Sequence, residues 1–236
     1  MKKIIVLLIF TFFSMGINAQ SLIGAWERYH TSENGEKLKS VVIFSDGYQV
    51  LTTYDAQTGK FIHCNGGTWK LEGDSVTEKV EFHTDKSELV GSESPFKVMI
   101  TDSILNIVGN KKQFKRIDNG EPGKLQGAWL MSGRIVDGKT QLRETNVPRK
   151  TMKIMSGTRF QWIAYNTETK QFMGTGGGTY TTVDNKYTEN IEFFSRDDTR
   201  VGASLAFNYS LVDGQWHHTG LSSKGDPINE IWSVRK

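Results

Sequence analysis

The chain has 236 residues, of which 37% are hydrophobic, 23% charged and 11% aromatic, and it carries a formal net charge of +3. That length holds one or two packed cores, and the composition excludes disordered and collagen-like classes. A single cysteine, Cys64, excludes both a disulfide-stapled scaffold and any internal disulfide.

At the N-terminus Lys2 and Lys3 precede an apolar run from Ile4 to Phe13, and Ala19 ends the segment. A short basic start, an apolar stretch and a small closing residue predict a signal peptide over residues 1–19, cleaved near Ala19. The expected product is exported, periplasmic or extracellular. It has no cysteine at the cleavage point to accept a lipid, and no later apolar run long enough to span a bilayer, so stable membrane insertion is not expected. Cleavage removes two lysines and leaves a net charge of +1. With no run of basic residues, nucleic acid is not an expected partner.

The rest of the chain repeats itself. Leu22-Ile23-Gly24-Ala25-Trp26 returns as Leu125-Gln126-Gly127-Ala128-Trp129, and Gly66-Gly67-Thr68-Trp69 as Gly177-Gly178-Thr179-Tyr180. At the same offset of 111, Tyr54 pairs with Tyr165, Phe61 with Phe172, Glu78 with Glu189, and Glu81-Phe82 with Glu192-Phe193. Between Lys39 and His83 the copies agree without a gap at 13 of 45 positions, too many for chance in one register, so the chain is a tandem duplication. Turn-forming residues from Asp118 to Gly123 mark the seam. The expected organisation is a first unit over residues 20–118, a linker over 119–124 and a second unit over 125–236.

Within each copy the apolar residues alternate. Val76, Glu78, Val80 and Phe82 share one strand face, and Tyr187, Glu189, Ile191 and Phe193 share the matching one. Turn signals such as Asp46-Gly47, Gly73-Asp74 and Asp213-Gly214 separate runs of about 6 to 10 residues, the pattern of antiparallel hairpins. About eight strands per copy predict an all-β chain of two small up-and-down barrels in tandem, since one sixteen-stranded barrel would enclose a lumen these side chains could not fill.

A Gly-x-Trp on the first strand and an Arg on the last resemble the lipocalin-like, or calycin, barrels, and the tandem form is similar to secreted lipocalin-like proteins of the Bacteroidetes type. The resemblance implies that Gly24 and Gly127 allow close backbone approach, that Trp26 and Trp129 plug the closed ends, and that Arg116 and Arg235 lie over the indoles. Phe114 and Arg116 share a strand face, whereas Trp232 and Arg235 do not.

The first copy is the shorter and is expected to be filled or to hold a small pocket. The second has more aromatic material and is expected to carry any ligand site, lined by Trp162, Tyr165, Tyr180, Tyr187, Glu189, Phe207, Tyr209, Trp216 and His218, with core packing as the alternative for each. Glu78 and Glu189 each sit on an apolar face and need a partner or a rim position. No catalytic set is evident. Cys64, His63 and His83 are matched by Thr175, Gly174 and Phe194, so no chemistry of theirs can be common to both copies. His217 and His218 point to opposite faces and cannot share a metal. Gly174 to Gly178 runs into a strand, not a helix, and reads as a bulge. No cofactor or metal is expected, and no protein partner is identified. Non-enzymatic binding of a small apolar or amphipathic ligand leads. A filled-barrel scaffold acting through its outer surface is the alternative, and a small barrel enzyme comes last.

Overall fold

The computed structural model describes residues 21–222 and 224–236; the expected signal peptide lies outside the described residues. The chain folds into two closed antiparallel barrels in tandem. Barrel 1 comprises β1 (Gly24–Thr31), β2 (Lys37–Ser45), β3 (Tyr48–Asp55), β4 (Phe61–Glu72), β5 (Ser75–His83), β6 (Glu93–Ile100), β7 (Ile104–Ile107) and β8 (Lys112–Asp118). Each strand pairs with the next, and β8 returns to β1 with Trp26 opposite Arg116.

Barrel 2 comprises β9 (Gly127–Val136), β10 (Lys139–Leu142), β11 (Arg149–Met155), β12 (Arg159–Asn166), β13 (Gln171–Val183), β14 (Lys186–Phe194), β15 (Ser204–Val212), β16 (Gln215–Leu221) and β17 (Pro227–Val234). Here β9 pairs directly with β11 and closes against β17, while β10 is an extra hairpin strand on the end of β9. That insertion explains why the Gly-x-Trp motifs are 103 residues apart while the strands from β2 to β5 match β11 to β14 at an offset of 111.

The duplication extends to irregularities. Bulges fall between Gly66 and Gly67 on β4 and between Gly177 and Gly178 on β13, at the 111 offset. At both, the facing strand comes so close that an added Cβ would lie 1.9 Å from a carbonyl oxygen, that of Lys79 for Gly67 and that of Asn190 for Gly178. The glycine segment is therefore a bulged strand. Single turns of 3-10 helix at Ser87–Leu89 and Asp198–Arg200 match in the same way. Among the described residues, no helix is long and apolar enough to cross a membrane.

Three apolar clusters form. One fills barrel 1 around Trp26, Val76, Leu105 and Phe114, and one fills barrel 2 around Trp129, Phe160, Tyr187, Trp216 and Trp232. The third lies outside both lumens and joins the barrels, packing Val41, Ile43, Tyr54 and Phe82 against Met152, Ile154, Ile163, Tyr165 and Phe193. This interface has an approximate two-fold symmetry. Tyr54 donates to Glu192 at 2.6 Å and Tyr165 to Glu81 at 2.5 Å; Tyr54 packs on Phe193 with ring centres 4.9 Å apart and Tyr165 on Phe82 at 4.7 Å. The two carboxylates are each gripped by a guanidinium, Glu192 by Arg159 at 2.6 and 2.7 Å and Glu81 by Arg235 at 2.7 and 2.8 Å. At the seam, buried Asp118 accepts from Ser156, Gly157 and Thr158, tying the end of barrel 1 to the β11–β12 turn.

The Gly-x-Trp-Arg expectation holds for one copy only. Trp26 is fully buried, its Nε1 donates to Leu22 O at 2.9 Å, and the Arg116 guanidinium lies 3.9 Å from the ring centre. Trp129 makes the equivalent bond to Leu125 O, but Arg235 does not cover it. Arg235 instead stacks over Tyr48 of barrel 1 at 4.2 Å while it holds Glu81. Tyr48 stands at the place of Arg159 in the repeat, so barrel 1 has no guanidinium of its own there and Arg235 supplies one.

Candidate functional site

The two lumens differ, and in the opposite sense to the sequence expectation. Barrel 1 contains a cavity of about 280 Å³, walled by Val42, Phe44, Leu51, Phe96, Leu105 and Phe114. Its polar floor is Glu78, which accepts from Gln49 Nε2 at 2.5 Å and Asn65 Nδ2 at 3.4 Å, with Lys112, Asn110 and Ser94 also on the lining. Strand alternation puts these residues inside: Gln49 and Leu51 on β3 face the lumen, while Val50 and Thr52 face the other barrel. Burial raises the Glu78 carboxyl above its ordinary range, and the two amide hydrogen bonds only partly oppose this. The floor of the cavity is a buried carboxyl group held by two amides.

In barrel 2 the same five positions are filled. Val42, Gln49, Leu51, Asn65 and Glu78 correspond to Lys153, Phe160, Trp162, Gly176 and Glu189. Lys153 crosses the lumen to bond Glu189 at 2.7 Å, with both side chains 7% exposed. Its ammonium lies 5.0 Å from the Tyr187 ring centre, 4.9 Å from that of Trp216 and 5.3 Å from that of Trp232, an aromatic surround that suits a desolvated cation. Tyr187 donates to the same Glu189 oxygen at 2.7 Å. Trp162 packs edge-on to Phe194 in space that Gly176 leaves free, since a Cβ there would lie 2.7 Å from the indole nitrogen.

Of the nine residues expected to line a pocket in the second copy, Trp162, Tyr180, Tyr187, Glu189, Phe207, Tyr209, Trp216 and His218 do face the barrel 2 lumen, where they pack on one another. Tyr165 does not. It lies on the opposite face of β12, buried between the barrels on Phe82. Burial and the Lys153 charge lower the pKa of His218, and its Nδ1 is 3.4 Å from Glu230. Among the described residues, His218 Nε2 and Trp216 Nε1 have no hydrogen-bond partner. Cys64 is fully buried at the interface, where desolvation pushes its thiol up to about 12. Of the barrel 1 cavity only Glu78 stands out in the sequence, as a glutamate on an apolar face; Lys153 and the apolar walls do not. The signal for Lys153 was present: it is a lysine inside Met152-Lys153-Ile154-Met155, two residues before a Met on the same strand face.

Similarity to known proteins is limited. The profile of a domain family of unknown function (DUF4488) matches residues 124–235, the second copy. No curated protein matches the chain. A solved structure, the Cpx pathway activator NlpE from Escherichia coli, aligns over 90% of this chain and 92% of its own with 9% identity and a TM-score of 0.26, which is too low to indicate a shared fold.

Proposed function

We propose that the protein is a non-enzymatic, exported, lipocalin-like binding module whose ligand site is the lumen of barrel 1. The observation that carries this reading is the 280 Å³ cavity with apolar walls and a single polar floor of Glu78, Gln49 and Asn65. Small-molecule sites are concave, mostly apolar and oriented by a few placed polar groups, with volumes from about 300 Å³ upward. The cavity fits a small, largely apolar ligand with one hydrogen-bonding group directed at Glu78. Export is supported by the basic and apolar pattern of residues 1–19. Barrel 2, with Lys153 bonded across its lumen, serves as a rigid support that buries one side of barrel 1.

The comparison between the copies supplies the test. Val42→Lys would place a lysine opposite Glu78 as Lys153 stands opposite Glu189, closing barrel 1 by the device barrel 2 already uses. Native mass spectrometry of protein purified from its host without detergent is expected to show a small-molecule adduct on the wild type and none on Val42→Lys. An adduct unchanged by Val42→Lys, or wild-type protein with only the apo mass and no heat of binding for short-chain amphiphiles and aromatic acids, would refute the assignment.

A further inference from the structure

A further side-chain cluster lies at the end of barrel 1 where β4 begins and β5 ends. His63, His83 and Asp85 each offer a ligand atom there, all within 4.8 Å of one another. We propose that these three residues bind a divalent transition-metal ion of the zinc class at the mouth of the barrel 1 cavity.

His63 Nδ1 lies 2.7 Å from Asp85 Oδ2 and its Nε2 lies 3.0 Å from Asn65 Oδ1. The Asn65 amide is oriented by its Nδ2, which donates to Glu78, so its oxygen is the acceptor and His63 Nε2 carries the donated proton. His63 Nδ1 is then the ring atom that faces Asp85 Oδ2, with the Thr84 hydroxyl 3.0 Å away, and it is the atom of His63 that a metal would use. An imidazole nitrogen beside a carboxylate oxygen is a pair that a divalent ion can bridge once their 2.7 Å contact opens to ligand spacing. A ligating histidine whose other N–H is fixed by a hydrogen bond is the usual support of a metal site, here the chain His63 to Asn65 to Glu78.

His83 completes the set. Its ring centre is 4.8 Å from that of His63, and its Nδ1 accepts from the backbone N–H groups of Asp85 and Lys86 at 3.2 and 3.0 Å, so that nitrogen is also unprotonated. A metal drawing on it replaces those two bonds. Ligand atoms on a tetrahedral ion with bonds of about 2.0 Å stand about 3.3 Å apart, so the widest separation must close by about 1.5 Å while the 2.7 Å contact of His63 with Asp85 opens. Asp85, with 60% of its side chain exposed, is free to make that movement. Two imidazoles and one carboxylate suit zinc, cobalt, nickel or copper over magnesium or calcium, and three protein ligands leave a position open to water or to the occupant of the cavity. The site is private to barrel 1, because Gly174 and Phe194 stand where His63 and His83 would be.

The test uses the whole untagged chain, titrated with Co2+ by visible absorption and then with Zn2+ in competition. One Co2+ per chain with ligand-field bands, displaced by Zn2+, is expected. Asp85→Asn and His63→Ala should each weaken binding at least tenfold. Asn65→Ala should weaken it about tenfold with the cobalt spectrum unchanged, the mark of a residue acting through His63. Asp85 is exposed, so its variant tests the site even if His63→Ala fails to fold. Absence of cobalt bands at millimolar Co2+, or affinity equal to wild type in Asp85→Asn, overturns the proposal. The readout is independent of the cavity's ligand, so it stands or falls separately from the binding function.

Discussion

Position 42 is valine and its counterpart 153 is lysine, and the difference between the lumens follows largely from that exchange. Each barrel keeps a glutamate on an inward face, where an isolated carboxylate is costly. In barrel 2 Lys153 neutralises it, and in barrel 1 Glu78 has only two amides, so burial raises its carboxyl above the ordinary range. Lys153→Met should cost about 3–5 kcal/mol in urea denaturation, because Glu189 is left buried and charged, and adding Glu189→Met should restore most of that loss. Glu78 carries the opposite sign of pH dependence from most carboxylates. Its folded pKa lies above its unfolded value of 4.5, so what it contributes to stability is present below that pH and lost as pH rises. Thermal unfolding should therefore show Glu78→Gln equal to wild type in acid and increasingly more stable than wild type above pH 4.5. An unchanged difference across that range would contradict the raised pKa.

The strands themselves were legible in the sequence because hairpin turns and alternation leave a direct trace, and the duplication checked one copy against the other. The glycine bulges belong to this scale. Gly178→Ala would drive a Cβ into the Asn190 carbonyl, and it should destabilise the chain by more than about 2 kcal/mol by chemical denaturation. What alternation could not say was which buried face is which. Strand β12 is buried on both sides, Phe160 toward the lumen and Ile163 and Tyr165 toward the other barrel, so parity separates two faces without naming them. Tyr165 was placed in a pocket for that reason. The same limit hid the meaning of Glu81-Phe82 and Glu192-Phe193, which recur because both copies use them at the interface. Cavity and plug depend on which side chains meet across a lumen, as Lys153 meets Glu189, and no local pattern encodes that meeting.

At the scale of the whole molecule, the two barrels form one body through an interface that is nearly self-complementary. Each tyrosine, Tyr54 and Tyr165, reaches the glutamate of the other copy, as subunits do in a two-fold dimer. Burial alone would raise the Glu192 carboxyl, but the hydrogen bonds and charge of Arg159, together with Tyr54, outweigh it and bring the group down to about 2. Its contribution is present above the unfolded value of 4.5 and lost as pH falls toward 2. Stability should therefore drop over that acid range in the wild type and drop less steeply in Glu192→Gln, as followed by urea midpoints at each pH. One barrel is open and the other plugged, and a crystal of the protein pressurised with xenon tests that most directly, since xenon enters apolar space that is otherwise empty. In protein first freed of any bound ligand, xenon among Leu51, Phe96 and Leu105 with none among Trp129, Trp216 and Trp232 is the predicted result; xenon bound in barrel 2, or none in barrel 1, would contradict it.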